Sequence, residues 1–184
     1  MNIIKSIKFT LLFYILLITI SAHIYSEDSE LISLPRDKYL DKCKGAWLGQ
    51  MIGVTFGDKY EFKFNGTPIL EPLQEWKPEY LKNAIPQDDL YVEMTFLEAL
   101  EKNGLNISFE DAGKFFANTK YPLWHANRVG RDNLKKGINP PLSGHPDYNH
   151  HADDIDFQIE SDLFGIICRG LPKQAQKLGK IFGS

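Results

Sequence analysis

Apolar residues recur at intervals of three and four along most of the chain, which is the spacing of one face of an α-helix. Between residues 35 and 184 this pattern, with its helix-start and helix-stop residues, predicts six helices. Their expected ranges are 35–56, 86–103, 108–118, 122–136, 154–168 and 172–184. Residues 58–86 and 138–151 contain prolines and turn residues and are predicted to be irregular. Strands do not alternate with helices in this pattern, so the predicted fold class is all-α.

Two stripes run along the first predicted helix. Apolar residues, among them Leu40, Trp47 and Val54, recur on one stripe, as on a face that packs against a core. Glycines fall four apart on the other stripe, from Gly45 to Gly57. Each interior glycine costs a helix roughly 0.5–1 kcal/mol relative to alanine. We therefore expect another backbone to approach this face closely. In the second helix, the same spacing assigns the buried face to Leu90, Met94, Leu97 and Leu100.

The N-terminus has the order of features of a secretory signal peptide. Lys5 and Lys8 form a short basic region, residues 9–20 are a nearly unbroken apolar run, and small or polar residues follow up to Ser26. The run is shorter than the roughly 20 residues of a membrane span, and an uncleaved anchor is the alternative. We expect residues 1–26 to be a cleaved signal peptide. The protein would then be secreted or periplasmic, with no stable membrane association after cleavage.

Composition excludes several classes of protein. Hydrophobic residues make up 43% of the 184 residues and charged residues 24%, as in globular proteins and unlike disordered or collagen-like chains. The net charge of −3 leaves no basic excess to neutralise phosphates, so we expect no nucleic-acid partner. The two cysteines, Cys43 and Cys168, form either one disulfide after export or two buried thiols, and we favour the second alternative.

Two acidic features could carry chemistry. The first is the pair Asp88 and Asp89, preceded by Gln87, at the start of the second predicted helix. Adjacent carboxylates fixed by a helical turn can bind a hard cation such as Mg²⁺ through oxygen. Acids at this position also stabilise a helix start without any metal. The second feature is Glu61, a lone acid between aromatic residues, for which a solvated surface charge is the ordinary explanation.

A third candidate is a segment in which histidines and acidic residues lie close together. On a continuous helix, Asp153, Asp156 and Glu160 share one face. With His150 and His151 nearby, a transition-metal site, for example for zinc, is one interpretation. We favour the alternative of an acidic, solvated helix start, because no spacing here is a specific zinc pattern.

Taken in order, the motifs of this chain resemble those of the ADP-ribosylglycohydrolase family. Residues 43–61, which begin CKGAWLGQMIG, are similar to the opening helix of the family and the glutamate that follows it. Residues 87–100, which begin QDDL, are similar to its acidic, metal-binding helix start. Residues 139–144 (NPPLSG) and 154–165 (DIDFQIESDLFG) are similar to a signature of a bacterial branch of the family.

The resemblance implies an all-α orthogonal bundle with a two-magnesium centre. The implied reaction is hydrolysis of the N- or O-glycosidic bond of ADP-ribose or a related riboside. The site residues that the resemblance implies are catalytic Glu61, the metal ligands Asp88, Asp89 and Gln87, and the substrate-binding Ser143 and Gly144. Many family members have threonine where this chain has Gln87, whose amide oxygen can still coordinate a cation or hold a water molecule.

The chain departs from the family after Asp162. The second group of metal ligands in the family, of the type Asp-x-Asp-Thr, lies in the C-terminal half, and no such motif follows Asp162 here. We therefore expect residues 27–184 to be the N-terminal part of such a domain, incomplete at the C-terminus. The chain as given should have little or no hydrolase activity. The alternative is a non-catalytic module that binds a nucleotide, a sugar or a protein on the same scaffold.

Overall fold

Seven α-helices form the regular structure of residues 33–184, the part of the chain that a computed structural model describes. They are α1 (Arg36–Gly57), α2 (Asp88–Asn103), α3 (Phe109–Ala117), α4 (His125–Lys135), α5 (Asp156–Ile159), α6 (Asp162–Ile167) and α7 (Pro172–Phe182). Two short 3₁₀ helices, Pro78–Asn83 and Leu142–Gly144, lie in the predicted irregular regions. These residues contain no strand, which confirms the all-α class.

Two predictions concern membranes and export. The expected signal peptide, residues 1–26, lies outside the described residues. Within residues 33–184, no helix combines the length and apolarity that crossing a membrane requires.

Helix α2 contributes more residues to the hydrophobic core than any other helix. Its buried side chains include Val92, Phe96 and Ala99. The rest of the core comes from the surrounding helices and connections: Ile107, Ala112, Leu123, Leu163, Phe164, Cys168, Leu178 and Ile181. The ring centroid of Phe96 lies 6.2 Å from that of Phe164 on α6 and 4.7 Å from that of Phe182 on α7. Aromatic contacts therefore join α2 to both C-terminal helices.

The predicted buried face of α2 is confirmed at Leu90 and Leu100 and is wrong at Met94. Met94, predicted to be buried, is 49% exposed, whereas Val92 and Glu93 are fully buried. Val92, Phe96 and Ala99 form a second apolar stripe at the same helical spacing. The prediction for Met94 was wrong because periodicity alone does not decide between two overlapping stripes.

Among residues 33–184, no neighbour covers the glycine face of helix α1. A Cβ atom placed on any of the four glycines from Gly45 to Gly57 would meet no atom of the described chain within 4 Å. The expected close approach of another backbone is therefore wrong for these residues. Helix α1 instead contacts the 3₁₀ helix Pro78–Asn83 and α6. Its Trp47 packs against the core, and Thr55 is buried.

The predicted fifth helix, residues 154–168, is interrupted. Helix α5 ends at Ile159 and α6 begins at Asp162. In a continuous helix, the backbone N–H of Leu163 would bond to the carbonyl of Ile159. It donates instead to Oε1 of Glu93 on α2, at 2.9 Å. The prediction of a single helix was wrong because a buried carboxylate from α2 takes the hydrogen bond that would continue α5.

Other boundaries lie close to those predicted. Ser108 precedes α3, and the backbone N–H of Asp111 donates to Ser108 Oγ at 3.0 Å, which is an N-cap. Helix α4 begins at His125 rather than at residue 122. Among the described residues both thiols are free: Cys168 is buried and Cys43 is half-buried. Cys43 and Cys168 are therefore not joined by a disulfide.

Candidate functional site

The paired aspartates open α2, as the sequence predicts. Asp88, Asp89 and the preceding Gln87 are all half-buried. The side-chain nitrogen of Gln87 donates to Asp58 Oδ1 at 3.4 Å and to the carbonyl of Asn83 at 3.5 Å. Its amide nitrogen is therefore engaged with the segment between α1 and α2, and its amide oxygen remains the atom that could face a cation.

Glu61 and the aspartate pair share one electrostatic environment. The pKa of Asp89 is raised to about 6, first by burial and then by the charges of Asp88 and Glu61. Glu61 is exposed, in the turns that follow α1. Although Glu61 and Asp89 are well separated in sequence, their carboxylates lie close enough for one charge to act on the other.

Basic side chains do not offset this negative charge. Across the described part of the chain, the ion pairs involve other acids, and none involves Glu61, Asp88 or Asp89. The repulsion among the three carboxylates can therefore be reduced only by solvent or by a bound cation.

Glu93 lies behind the aspartate pair on α2. Its side chain is 0% exposed. Oε1 accepts the hydrogen bond from Leu163, and the buried side-chain amide of Gln50 lies beside the carboxylate, although Oε2 makes no well-aligned hydrogen bond within residues 33–184. Burial raises the pKa of Glu93 to about 7, and the charges of Asp162 and Asp89 contribute to the increase. A buried oxygen without a partner is costly for a folded protein.

Glu160, in the break between α5 and α6, is a second buried glutamate. It is 1% exposed. Its Oε1 accepts a hydrogen bond from the side-chain amide of Asn127, and its Oε2 has no partner within the described chain. Burial raises the pKa of Glu160 to about 9, and the charges of Asp156, Asp88 and Asp89 add to the effect. The charges of the aspartate pair therefore act on Glu160 as well as on each other.

We call five of these carboxylates the acidic cluster: Glu61, Asp88, Asp89, Glu93 and Glu160. Its potential ligands are oxygens, the atoms that a hard divalent cation such as Mg²⁺ prefers, although no three of these carboxylates bring ligand atoms within 4.8 Å of one another in residues 33–184. A cation would offset the repulsion that raises the pKa of Asp89. The residues that would hold it are Asp88 and Asp89, with Gln87 beside them.

Ser143 and Gly144 both contact Ser184. Ser143 is buried and its Oγ donates to the carbonyl of Ser184 at 3.4 Å. A Cβ on Gly144 would lie 2.6 Å from the carbonyl carbon of Ser184. Both residues line a cavity of about 100 Å³, below the roughly 300–1,000 Å³ of typical ligand pockets. Asn127 and Asp156 also line this cavity, but the aspartate pair and Glu61 do not.

The histidine-rich segment forms a second cluster. The ligand atoms of His125, Asp154 and Asp156 all lie within 4.8 Å of one another. His151 Nδ1 lies 2.8 Å from Asp154 Oδ2. His150 is exposed and is not a member of the three-residue group. The histidine of the three-residue group is therefore His125, which lies outside the segment that the sequence singled out.

The expectation of a solvated acidic helix start is only partly met. Asp153 is exposed, whereas Asp156 is 7% exposed and Glu160 is 1% exposed. The expectation was wrong for Asp156 and Glu160 because both carboxylates turn inward and accept hydrogen bonds from Asn127 of α4.

In comparisons with known proteins, no family model, no curated protein and no solved structure matches the chain. The resemblance to the ADP-ribosylglycohydrolases, and the orthogonal bundle that it implies, therefore remain predictions.

Proposed function

We propose that this chain carries the carboxylates of a magnesium-dependent, ADP-ribosylglycohydrolase-like enzyme. Its reaction would be hydrolysis of an N- or O-glycosidic bond of ADP-ribose or a related riboside. One observation carries the proposal: the paired carboxylates of Asp88 and Asp89 are half-buried together at the start of α2, where burial and neighbouring acids, Glu61 among them, raise the pKa of Asp89. Three acids from two separate motifs, with no basic partner among the described residues, form an environment that favours a bound cation.

Asp88 and Asp89 would hold Mg²⁺, and the amide oxygen of Gln87 would coordinate the ion or a water molecule bound to it. When bound, the cation would polarise the ribose hydroxyls and reduce the repulsion among Glu61, Asp88 and Asp89. Glu93 and Glu160 lie behind the ligands, and their raised pKa values allow them to carry protons near neutral pH. They would thereby limit the negative charge of the site when the cation is absent.

Glu61 would be the catalytic carboxylate. It is exposed, so a substrate or a water molecule can reach it without rearrangement of the core. In glycoside hydrolysis, a carboxylate accepts a proton from water as the water attacks an oxocarbenium-like anomeric carbon. The charge of Glu61 contributes to the raised pKa of Asp89, which supports this role near the proposed metal ligands.

The proposal includes export. If the predicted signal peptide is cleaved, the substrate would be an ADP-ribosylated protein or a free ADP-ribosyl compound outside the cytoplasm. Nucleic acid is not a proposed partner, because the net charge of the chain is −3.

Calorimetric titration of the full chain with Mg²⁺ tests the metal-binding part. We expect saturable binding that Asp88→Asn and Asp89→Asn each weaken at least about tenfold, because each removes a ligand charge. Asp37→Asn is the matched control, since Asp37 is also an acid in the first turn of a helix and is exposed on α1. Equal effects of Asp37→Asn and Asp89→Asn, or no binding at all, would overturn the proposal.

Release of ADP-ribose from an ADP-ribosylated protein tests the reaction. We expect little or no release by the chain as given, because no Asp-x-Asp-Thr motif follows Asp162. A longer chain that supplies this motif should release ADP-ribose with Mg²⁺, and Glu61→Gln should abolish the release without weakening Mg²⁺ binding. Undiminished release by the Glu61→Gln chain would contradict the catalytic assignment. ADP-ribose binding that needs neither Mg²⁺ nor Asp89 would favour the non-catalytic module.

A further inference from the structure

We propose that His125, Asp154 and Asp156 form a binding site for a transition-metal dication such as Zn²⁺, in which His151 positions Asp154. The site shares no ligand with the acidic cluster, although Asn127 donates to both Asp156 and Glu160, and it does not rest on the proposed hydrolase function. It joins the start of α4 to the turn before α5 and to the first residue of α5.

The distances suit coordination by a single ion. His125 Nδ1 lies 3.6 Å from Asp154 Oδ2, and the three ligand atoms lie within 4.8 Å of one another. Two ligands about 2.0–2.2 Å from a tetrahedral zinc ion are roughly 3.4 Å apart. Small side-chain rotations would therefore bring all three atoms to bonding distance. Three protein ligands leave at least one further position for water.

Asp156 is the fixed member of the group. It is 7% exposed, and its Oδ1 accepts the backbone N–H of Asn127 at 3.2 Å. Because Asn127 lies in the first turn of α4, this hydrogen bond ties the Asp156 carboxylate to the helix that begins with His125. The separation of the two ligands is thus set by backbone packing.

Asp154 is held by the preceding turn. Its backbone N–H donates to the carbonyl of His151 at 2.9 Å. The N–H of His151 donates to Asn149 Oδ1 at 3.1 Å, and Asn149 Nδ2 donates to the carbonyl of Ala126 at 2.9 Å. The buried side chain of Asn149 therefore anchors this turn to α4.

His151 contacts the same carboxylate oxygen as His125. Its Nδ1 lies 2.8 Å from Asp154 Oδ2, and its ring centroid lies 5.2 Å from that of His125. A hydrogen bond from a neighbouring imidazole orients a carboxylate ligand and is a common support of metal sites. This contact assigns a positioning role to His151.

The His125 side chain is 61% exposed, so an ion can enter from solvent. The backbone of His125 has φ of 33°, which few residues other than glycine adopt.

The mixed donor set selects the class of metal. One imidazole nitrogen with two carboxylates suits Zn²⁺, Mn²⁺ or Fe²⁺, whereas Mg²⁺ prefers oxygen ligands alone. With neutral His125, the two carboxylates give a net charge of −2, which a dication neutralises. The metal-free explanation of the same contacts is hydrogen bonding of two histidines to Asp154, and it requires no metal affinity.

Titration of the full chain with Zn²⁺ against a chromophoric chelator distinguishes these explanations. We expect one high-affinity site, weakened at least about tenfold by His125→Gln or Asp154→Asn and about tenfold by His151→Gln. The matched control is His145→Gln, which changes another exposed histidine whose Nδ1 lies 3.5 Å from the carboxylate of Asp147. This variant should bind Zn²⁺ normally, and Asp89→Asn should too.

The site would be overturned by wild-type chain that binds no Zn²⁺, or by His125→Gln chain with wild-type affinity. Loss of Zn²⁺ binding in Asp89→Asn or His145→Gln would overturn it as well, since the ion would then bind elsewhere. Far-ultraviolet circular dichroism of each variant verifies that a lost affinity reflects a lost ligand in a folded chain. Failure of this test leaves the Mg²⁺ titration of the acidic cluster unaffected.

Discussion

The side-chain amide of Asn127 donates a hydrogen bond to Oε1 of Glu160, while the other oxygen of this carboxylate has no partner in residues 33–184. Glu160 is 1% exposed, and burial raises its pKa to about 9. The ordinary pKa of a glutamate is 4.5. Near neutral pH, the folded protein therefore holds a proton on Glu160 that the unfolded chain releases.

This proton links stability to pH. Because the folded pKa lies above the unfolded one, the contribution of Glu160 to stability is fully present below about pH 4.5 and is lost as pH rises toward 9. Its slope is about 1.4 kcal/mol per pH unit within this window. We expect the free energy of unfolding of Glu160→Gln to fall less steeply with pH. Urea denaturation at about pH 5 and about pH 8 measures the difference.

The control for this experiment is Glu101→Gln, which changes an exposed glutamate on the same helix as Glu93. Its stability should follow the wild-type pH dependence. Parallel curves for wild type and Glu160→Gln would show that Glu160 does not hold its proton in the folded state.

Replacement of Asn127 by alanine should destabilise the protein by about 1–3 kcal/mol, because it leaves both oxygens of buried Glu160 without a donor. The backbone N–H of residue 127 still donates to Asp156 Oδ1, so that hydrogen bond remains. Thermal unfolding followed by circular dichroism measures the loss. Asn139→Ala, in the exposed loop, should change the midpoint little, and an equal shift in both variants would contradict the role of Asn127.

Phe96 is the aromatic centre of the core. It is 3% exposed and contacts rings on α3, α6 and α7. We expect Phe96→Ala to lower the free energy of unfolding by about 3–5 kcal/mol. Phe62→Ala removes a side chain that is 78% exposed, and its effect should stay within about 0.5 kcal/mol. Chemical denaturation of the two variants compares them, and similar losses would argue against the described core.

Ser108 caps α3 through its hydroxyl oxygen. Ser108→Ala should cost about 1 kcal/mol in the free energy of unfolding, because the backbone N–H of Asp111 loses its acceptor. Ser108→Thr keeps a hydroxyl at this position and should retain most of the stability. If threonine and alanine are equally destabilising in urea denaturation, the hydroxyl is not the stabilising group.

Local chemistry predicted much of the fold. The Ser108 cap and the start of α2 at Asp88 follow from side chains within a few residues of the backbone groups that they affect. The break at Glu160 and the start of α6 do not, because they depend on Glu93, which is distant in sequence. Interactions of this kind leave no trace in the periodicity of the segment that they interrupt.

The candidate sites likewise combine residues that the local sequence marks with residues that only tertiary packing brings together. Asp88 and Asp89 are conspicuous because they are adjacent. Glu93 follows Asp89 by one helical turn, a spacing that could have marked it as lying on the same face. His125 has no distinctive neighbour, and only the packing of α4 against the turn before α5 brings it to Asp154. The burial of Glu160 likewise arises from its contact with Asn127.

The hydrogen bond from Leu163 to Glu93 joins residues 70 positions apart. Closing so long a loop costs more chain entropy than forming a helical turn. The local pattern of residues 154–168 favours one unbroken helix, so the native break depends on the contact with α2. A peptide of this segment alone should therefore lack the break. A protein without Glu93 should no longer begin a separate helix at Asp162.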